Sequence, residues 1–205
     1  PAILSPVMAI RPVPLTVAGR PAALILTSEN GAAQAGGPAF RGLPAWCVGP
    51  RTAGEARRRG LRAIAAGPDA EALLAALLAA RPAGRLLHLR GQHARGDVAA
   101  RLRAAGLDAE EAVAYRQDAL PPSPAAREAL DGPGAPVVPL FSPRSALLLA
   151  AWAPRCPLRV VAMSEAVARA ALALGPRATD IAPSPDQGAM VRATLAALEA
   201  RDAAT

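Results

Sequence analysis

The chain has no lysine, so all 23 of its basic side chains are arginine, and against 16 acidic residues they leave a formal net charge of +7. Aromatic residues are almost absent, with one Tyr, two Trp and two Phe. So few rings cannot supply the stacking platforms that single-stranded nucleic acid needs. The arginines are also scattered instead of gathered into one basic tract, so no nucleic-acid partner is expected. A polyanionic small molecule fits the charge as well. Cys47 and Cys156 lie far apart with no Cys-x-x-Cys spacing, which argues against a zinc site or a disulfide framework and leaves two buried thiols. The apolar runs are broken by Arg, Gly or Pro well before the roughly 18 residues of a membrane span. The opening Pro1-Ala2-Ile3-Leu4-Ser5-Pro6 has neither the basic nor the long apolar region of a secretion signal, so a cytoplasmic location without a membrane partner is the expectation. The usual catalytic signatures are missing too: no Gly-rich phosphate loop, no nucleophile elbow, no His-Glu-x-x-His and no kinase set.

What is there is an echo. Leu24-Ile25-Leu26-Thr27-Ser28-Glu29-Asn30-Gly31-Ala32 reads as a buried strand ending in a polar turn, and 114 positions later Val137-Val138-Pro139-Leu140-Phe141-Ser142-Pro143-Arg144-Ser145-Ala146 repeats the pattern. Cys47-Val48-Gly49-Pro50-Arg51-Thr52-Ala53 is answered by Val161-Ala162-Met163-Ser164-Glu165-Ala166-Val167, and Pro68-Asp69 by Pro185-Asp186. Three matches in the same order at so long a period indicate a duplicated α/β unit, and a 205-residue chain has room for two small lobes.

Along the chain, the prolines at 6, 12 and 14 make Ile3–Ile10 a linker strand and not a helix. From Ala22 the pattern predicts strand to Thr27, a short helix after Asn30, strand Ala45–Val48, helix Arg51–Arg59, strand Leu61–Ala65 and helix Asp69–Ala80. Strand Arg85–Leu89 and helix Arg95–Ala105 follow, the helix ended by Gly106. Leu107–Tyr115 is a long strand, and Gln117–Pro124, with three prolines, a boundary. A short helix at Ala125–Leu130 leads to strand Pro136–Phe141, helix Arg144–Trp152, strand Leu158–Ala162, helix Glu165–Leu174, strand Ala178–Ala182 and helix Asp186–Ala200. Parallel sheets flanked by helices are the natural arrangement. The segments near Val7–Ile10 and Val113–Arg116 can pair as a two-stranded hinge, with one lobe inserted in the other.

In open α/β sheets ligands bind beyond the carboxyl ends of the strands, where helix N-termini offer unpaired N–H groups. Thr27, Ser28, Asn30, Gly49, Thr52, Gly91, Ser142, Ser145 and Ser164 all fall there, and lobes that face each other would line one cleft with them. Helix capping is the alternative role for each. Asp69 and Asp186 read as N-caps. His88 reads as partly buried and His93 as a surface residue, neither carrying the pattern of a catalytic base.

These residues resemble the uroporphyrinogen-III synthase family along nearly the whole chain. The motifs are the linker strand Ser5-Pro6-Val7-Met8-Ala9-Ile10, the Thr-Ser-x-Asn-Gly turn of Thr27 to Gly31, and Val-Gly-x-x-Thr-Ala at Val48 to Ala53. Leu89-Arg90-Gly91, Val113-Ala114-Tyr115-Arg116 and Phe-Ser-Pro-x-Ser at Phe141 to Ser145 complete the series. The resemblance implies two flavodoxin-like lobes joined by a two-stranded hinge. One lobe would comprise residues 1–6 and 119–205, the hinge strands 7–16 and 113–118, and the inserted lobe 17–112. It implies a lyase that closes the linear tetrapyrrole hydroxymethylbilane with loss of water and inversion of ring D, using no metal or organic cofactor. Tyr115 matches the family's linker tyrosine, which places it beside the leaving hydroxyl. The substrate's eight carboxylates bring in Arg90 and Arg144, beside strand-end loops. A monomer making transient contact with hydroxymethylbilane synthase is the expected assembly.

Two departures stand out. Ser164 to Ala168 lacks the threonine of the family's second Gly-x-x-Thr-Ala. The family also begins with a strand and helix carrying a Thr-Arg-Pro element, about 25 residues ahead of the point where this sequence opens, so one sheet is expected to lack a strand. A two-lobed binding protein and a truncated, inactive synthase stand beside the synthase reading.

Overall fold

A computed structural model describes residues 2–93 and 96–202. The chain divides into two compact units, Ile10–Asp118 and Pro1–Ala9 with Ala119–Thr205.

The unit Ile10–Asp118 is organised by a six-stranded sheet. In chain order its elements are β1 (Met8–Pro12), β2 (Ala23–Leu26), α1 (Glu29–Ala33), β3 (Pro44–Val48), α2 (Gly49–Arg58) and β4 (Arg62–Gly67). There follow α3 (Ala70–Ala80), β5 (Leu86–Gly91), α4 (Val98–Ala104) and β6 (Ala109–Ala119). The strand order is β1-β6-β5-β2-β3-β4, and every pairing from β6 to β4 is parallel. β1 runs against β6: Val13 N–H donates to Ala114 O and Leu120 N–H to Val7 O, numbers rising on one strand as they fall on the other. β1 and β6 each carry residues of both units.

β2 is buried at all four positions, as a parallel strand covered on both faces must be. Alternate residues then serve opposite faces. Leu24, Leu26, Leu87 and Leu89 pack with Ala32, Phe40, Ala53, Ala56 and Tyr115 under α1 and α2. Ile25 and Leu86 pack with Leu73, Leu74, Leu77, Val98 and Leu102 of α3 and α4. Each fully buried leucine contributes roughly 2 kcal/mol of apolar transfer free energy.

Some boundaries differ from the pattern. α4 starts at Val98, later than the expected Arg95, because Gly96 and Asp97 both take positive φ (90° and 42°) and cannot continue a helix; Arg95 itself lies outside the described residues. β6 runs on to Ala119, past the expected boundary at Gln117, since proline first interrupts it at Pro121.

In the second unit α5 (Pro124–Asp131) precedes β7 (Val137–Leu140), α6 (Pro143–Ala150), β8 (Arg159–Ala162), α7 (Glu165–Ala171), β9 (Ala178–Ile181) and α8 (Gln187–Asp202). The three strands form a parallel sheet in the order β7-β8-β9. Leu130, Leu149, Val167 and Ala171 cover one face with Leu140, Val160 and Ala162, and Met190 and Ala197 of α8 cover Val161 on the other. Cys47 and Cys156 are buried free thiols, and burial pushes the Cys47 thiol up to about 11. No described helix is long and apolar enough to cross a membrane.

Candidate functional site at the strand ends

The parallel strands of the larger sheet bring their carboxyl ends to one side. There Ser28 takes an extended conformation (φ −154°, ψ 154°) and caps α1, its Oγ accepting from Gly31 N–H at 3.1 Å. The same Oγ lies 3.0 Å from Tyr115 Oη. Gly31 has no alternative: a Cβ there would stand 2.7 Å from Leu89 O, so α1 rests directly on the end of β5. Asn30 is half-buried in the same turn.

Tyr115 is 7% exposed, its ring part of the core. The β5–β6 register shifts between Arg90 and Gly91, so that Arg90 pairs with Val113 but Gly91 with Tyr115. Such an irregularity re-aims a side chain. A Cβ on Gly91 would come within 2.7 Å of Tyr115 Cζ and 2.9 Å of Oη, so the phenol sits where only glycine admits it.

Thr27 Oγ1 lies 3.1 Å from His88 Nε2. His88 is 2% exposed, more deeply buried than its sequence position suggests, because β5 is covered on both faces and flanked by β2 and β6. Burial lowers its pKa to about 4, with nearby Arg90 acting in the same sense and Glu111 opposing. His93 is exposed in the following loop. Arg90, expected to meet substrate, is engaged within its own unit: Nη2 pairs with Glu111 Oε1 at 2.7 Å and Nη1 donates to Gly91 O and Gln92 O. It holds the turn after β5, and it keeps the Glu111 carboxyl below the usual carboxylate range. Gly49 opens α2 with φ 70°, and Thr52 is buried three residues on.

In the smaller unit Ser142 (φ −153°, ψ 151°) caps α6, its Oγ accepting from Ser145 N–H at 3.0 Å and lying 2.8 Å from Ser145 Oγ. Arg144 is half-buried in the first turn of α6. Ser164 precedes α7 with its hydroxyl making no capping bond, and its carbonyl accepts from Val167 and Ala168. Thus Ser28, Gly91 and Tyr115 come together in one unit, Thr27 joins His88, and Ser142 joins Ser145. The Thr27–His88 and Ser28–Tyr115 contacts are those that sequence reasoning missed, since neighbouring motifs gave no sign that β5 lies between β2 and β6. A depression of about 510 Å³ lined by Pro44, Arg57, Leu61, Arg62, Ala63 and Ile64 lies at β4, four strands away from Tyr115.

A family model described as uroporphyrinogen-III synthase HemD matches residues 2–192. The chain belongs to the uroporphyrinogen-III synthase family. Its function is that of the family, a cyclising lyase of heme biosynthesis that converts hydroxymethylbilane to uroporphyrinogen III. Among solved structures, the uroporphyrinogen-III synthetase from Helicobacter pylori shares the fold, with a TM-score of 0.75 at 17% identity over 93% of this chain and 91% of that one. A mutant uroporphyrinogen III synthase from Thermus thermophilus matches at a TM-score of 0.49 and 16% identity, covering 95% and 88%. No curated protein matches the sequence.

Proposed function

We propose that Tyr115 is the residue of this family member that meets the leaving hydroxyl of hydroxymethylbilane, with Ser28 setting its direction. The observation that carries this is the 3.0 Å Ser28–Tyr115 bond, held over Gly91 at the carboxyl ends of the strands. Ser28 Oγ already accepts from Gly31 N–H, and its own proton is then available to Tyr115 Oη. The phenol proton is thereby turned away from Ser28, ready to hydrogen-bond the departing hydroxide, which is released as water once the proton that ring D loses on closure is counted.

The eight carboxylates suit the hydroxyls and free N–H groups of the strand ends. Thr27, Asn30, Gly49, Thr52 and Gly91 serve in one unit, where the Ser28 hydroxyl proton is spent on Tyr115, and Ser142, Ser145 and Ser164 serve in the other, with Arg90 and Arg144 adding charge. Catalysis is mainly conformational. Once the hydroxyl is lost, the bilane closes unaided at the unsubstituted position and gives the type I isomer. Holding both ends in near-attack geometry, worth roughly 7–11 kcal/mol in the best intramolecular cases, steers attack to the substituted carbon through a spiro intermediate. That lability also favours a cytoplasmic monomer receiving its substrate in transient contact with hydroxymethylbilane synthase.

The test is to add the protein to fresh hydroxymethylbilane and separate the isomers. Type III product is expected from the native chain, with turnover collapsing in Tyr115→Phe. An unchanged type I to type III ratio would reduce the chain to a binding protein or an inactive synthase.

A further inference from the structure

Among the described residues the buried polar side chains are Thr52 and His88, and His88 has no part in the chemistry proposed so far. It stands in β5 between Ile25 of β2 and Glu111 of β6, with Nε2 3.1 Å from Thr27 Oγ1. Its Nδ1 is buried and has no hydrogen-bond partner among the described residues. A neutral imidazole carries one N–H, and its two tautomers are not equivalent in this place. With the proton on Nδ1, the ring would bury a donor that nothing receives, and Thr27 would spend its own proton on Nε2. With the proton on Nε2, only a lone pair is left unfilled, and orphaned buried N–H groups are the rarer of the two defects.

The choice matters for an anion. A hydroxyl whose proton is captured inward presents only lone pairs to a carboxylate, whereas one that accepts inward keeps its proton for donation outward. We infer that His88 is a positioning residue: as the Nε2–H tautomer it donates to Thr27 Oγ1, leaving the Thr27 proton free to bond a substrate carboxylate beyond the end of β2. Burial supports this by keeping the ring neutral down to about pH 4, so the doubly protonated form does not intervene at neutral pH. The inference rests on the reading of Thr27 as a carboxylate contact.

Long-range proton–nitrogen correlation spectra of the native protein at neutral pH are expected to show the His88 proton on Nε2. His88→Leu, which cannot donate, should raise KM for hydroxymethylbilane about tenfold with kcat within about twofold of native, the loss of one hydrogen bond to a charged group. His88→Gln, with an amide N–H reaching toward Thr27, should recover most of it. In a Thr27→Val background His88→Leu should add little. If Thr27→Val itself leaves KM unchanged, the Thr27 contact is wrong and the role of His88 falls with it. If Thr27→Val raises KM but His88→Leu does not, or if the proton is on Nδ1, the inference alone is overturned. Should His88→Leu not fold, the native spectrum and His88→Gln decide.

Discussion

Ser28 and Ser142, 114 positions apart, hold the same backbone conformation, φ/ψ −154°/154° and −153°/151°, and each accepts from the N–H three residues on. Asp69 and Asp186 form a second such pair, accepting from Ala72 and Ala189 N–H at 2.9 Å each. The two units thus repeat their caps as well as their strands. They differ in what the serine hydroxyl touches next: Tyr115 in one, Ser145 in the other.

That difference separates two variants that look alike. Ser28→Ala and Ser142→Ala should each lose about 1 kcal/mol of stability in denaturant unfolding, the usual worth of an N-cap. Only Ser28→Ala should also lower kcat, because the phenol loses its orienting partner. Equal kcat in the two variants would show that Ser28 is a cap and nothing more.

Gly91→Ala places a methyl group 2.7 Å from Tyr115 Cζ, inside any allowed contact. Ring or strand must shift, at a cost of about 1–3 kcal/mol, and the hydroxyl moves off its position. Thermal unfolding should register the first effect and kcat the second. Native values of both would mean that the irregularity between β5 and β6 has enough slack to absorb the methyl.

The fold was legible because its signals are local: apolar runs of strand length, turn residues, and aspartates such as Asp69 and Asp186 that announce helix starts. The site was legible only in part, for the same reason. Thr27, Ser28 and Tyr115 could be named from their motifs, yet the partners of Thr27 and Ser28 lie 61 and 87 residues away in sequence. Those partners are fixed by the strand order, which puts β5 between β2 and β6. Arg90 was named because Arg suits carboxylates, and its ion pair with Glu111 was not legible because Glu111 lies on β6, which pairs with β5 only in the folded sheet.

His88 gives a pH dependence whose sign is fixed. The unfolded chain takes up a proton near pH 6.5 and the folded one only near 4, so between these values the unfolded state binds more protons. Stability therefore falls as pH drops from about 6.5 through about 4, by roughly 3 kcal/mol at 1.36 kcal/mol per unit. His88→Gln should remove that part of the decline. The check is the difference between the two proteins' unfolding free energies at pH 7 and at pH 4; an identical decline in both would place the effect in the acidic residues instead.

Tyr115→Phe isolates the phenol from its ring. The ring fills the core beneath α1 and over Gly91, and phenylalanine keeps that packing. Ser28 keeps its bond from Gly31 N–H, so the cap on α1 survives and stability should change by only about 1 kcal/mol. What disappears is a donor aimed at the departing hydroxyl. Positioned acid catalysis then predicts that kcat falls by roughly 10²-fold or more while KM holds, since the carboxylate contacts are untouched. With closure no longer hastened, spontaneous cyclisation overtakes it, and the type I isomer should rise in the product. Near-native turnover with type III product would show the hydroxyl to be dispensable, and would leave Tyr115 as an aromatic wedge whose bond to Ser28 serves only the fold.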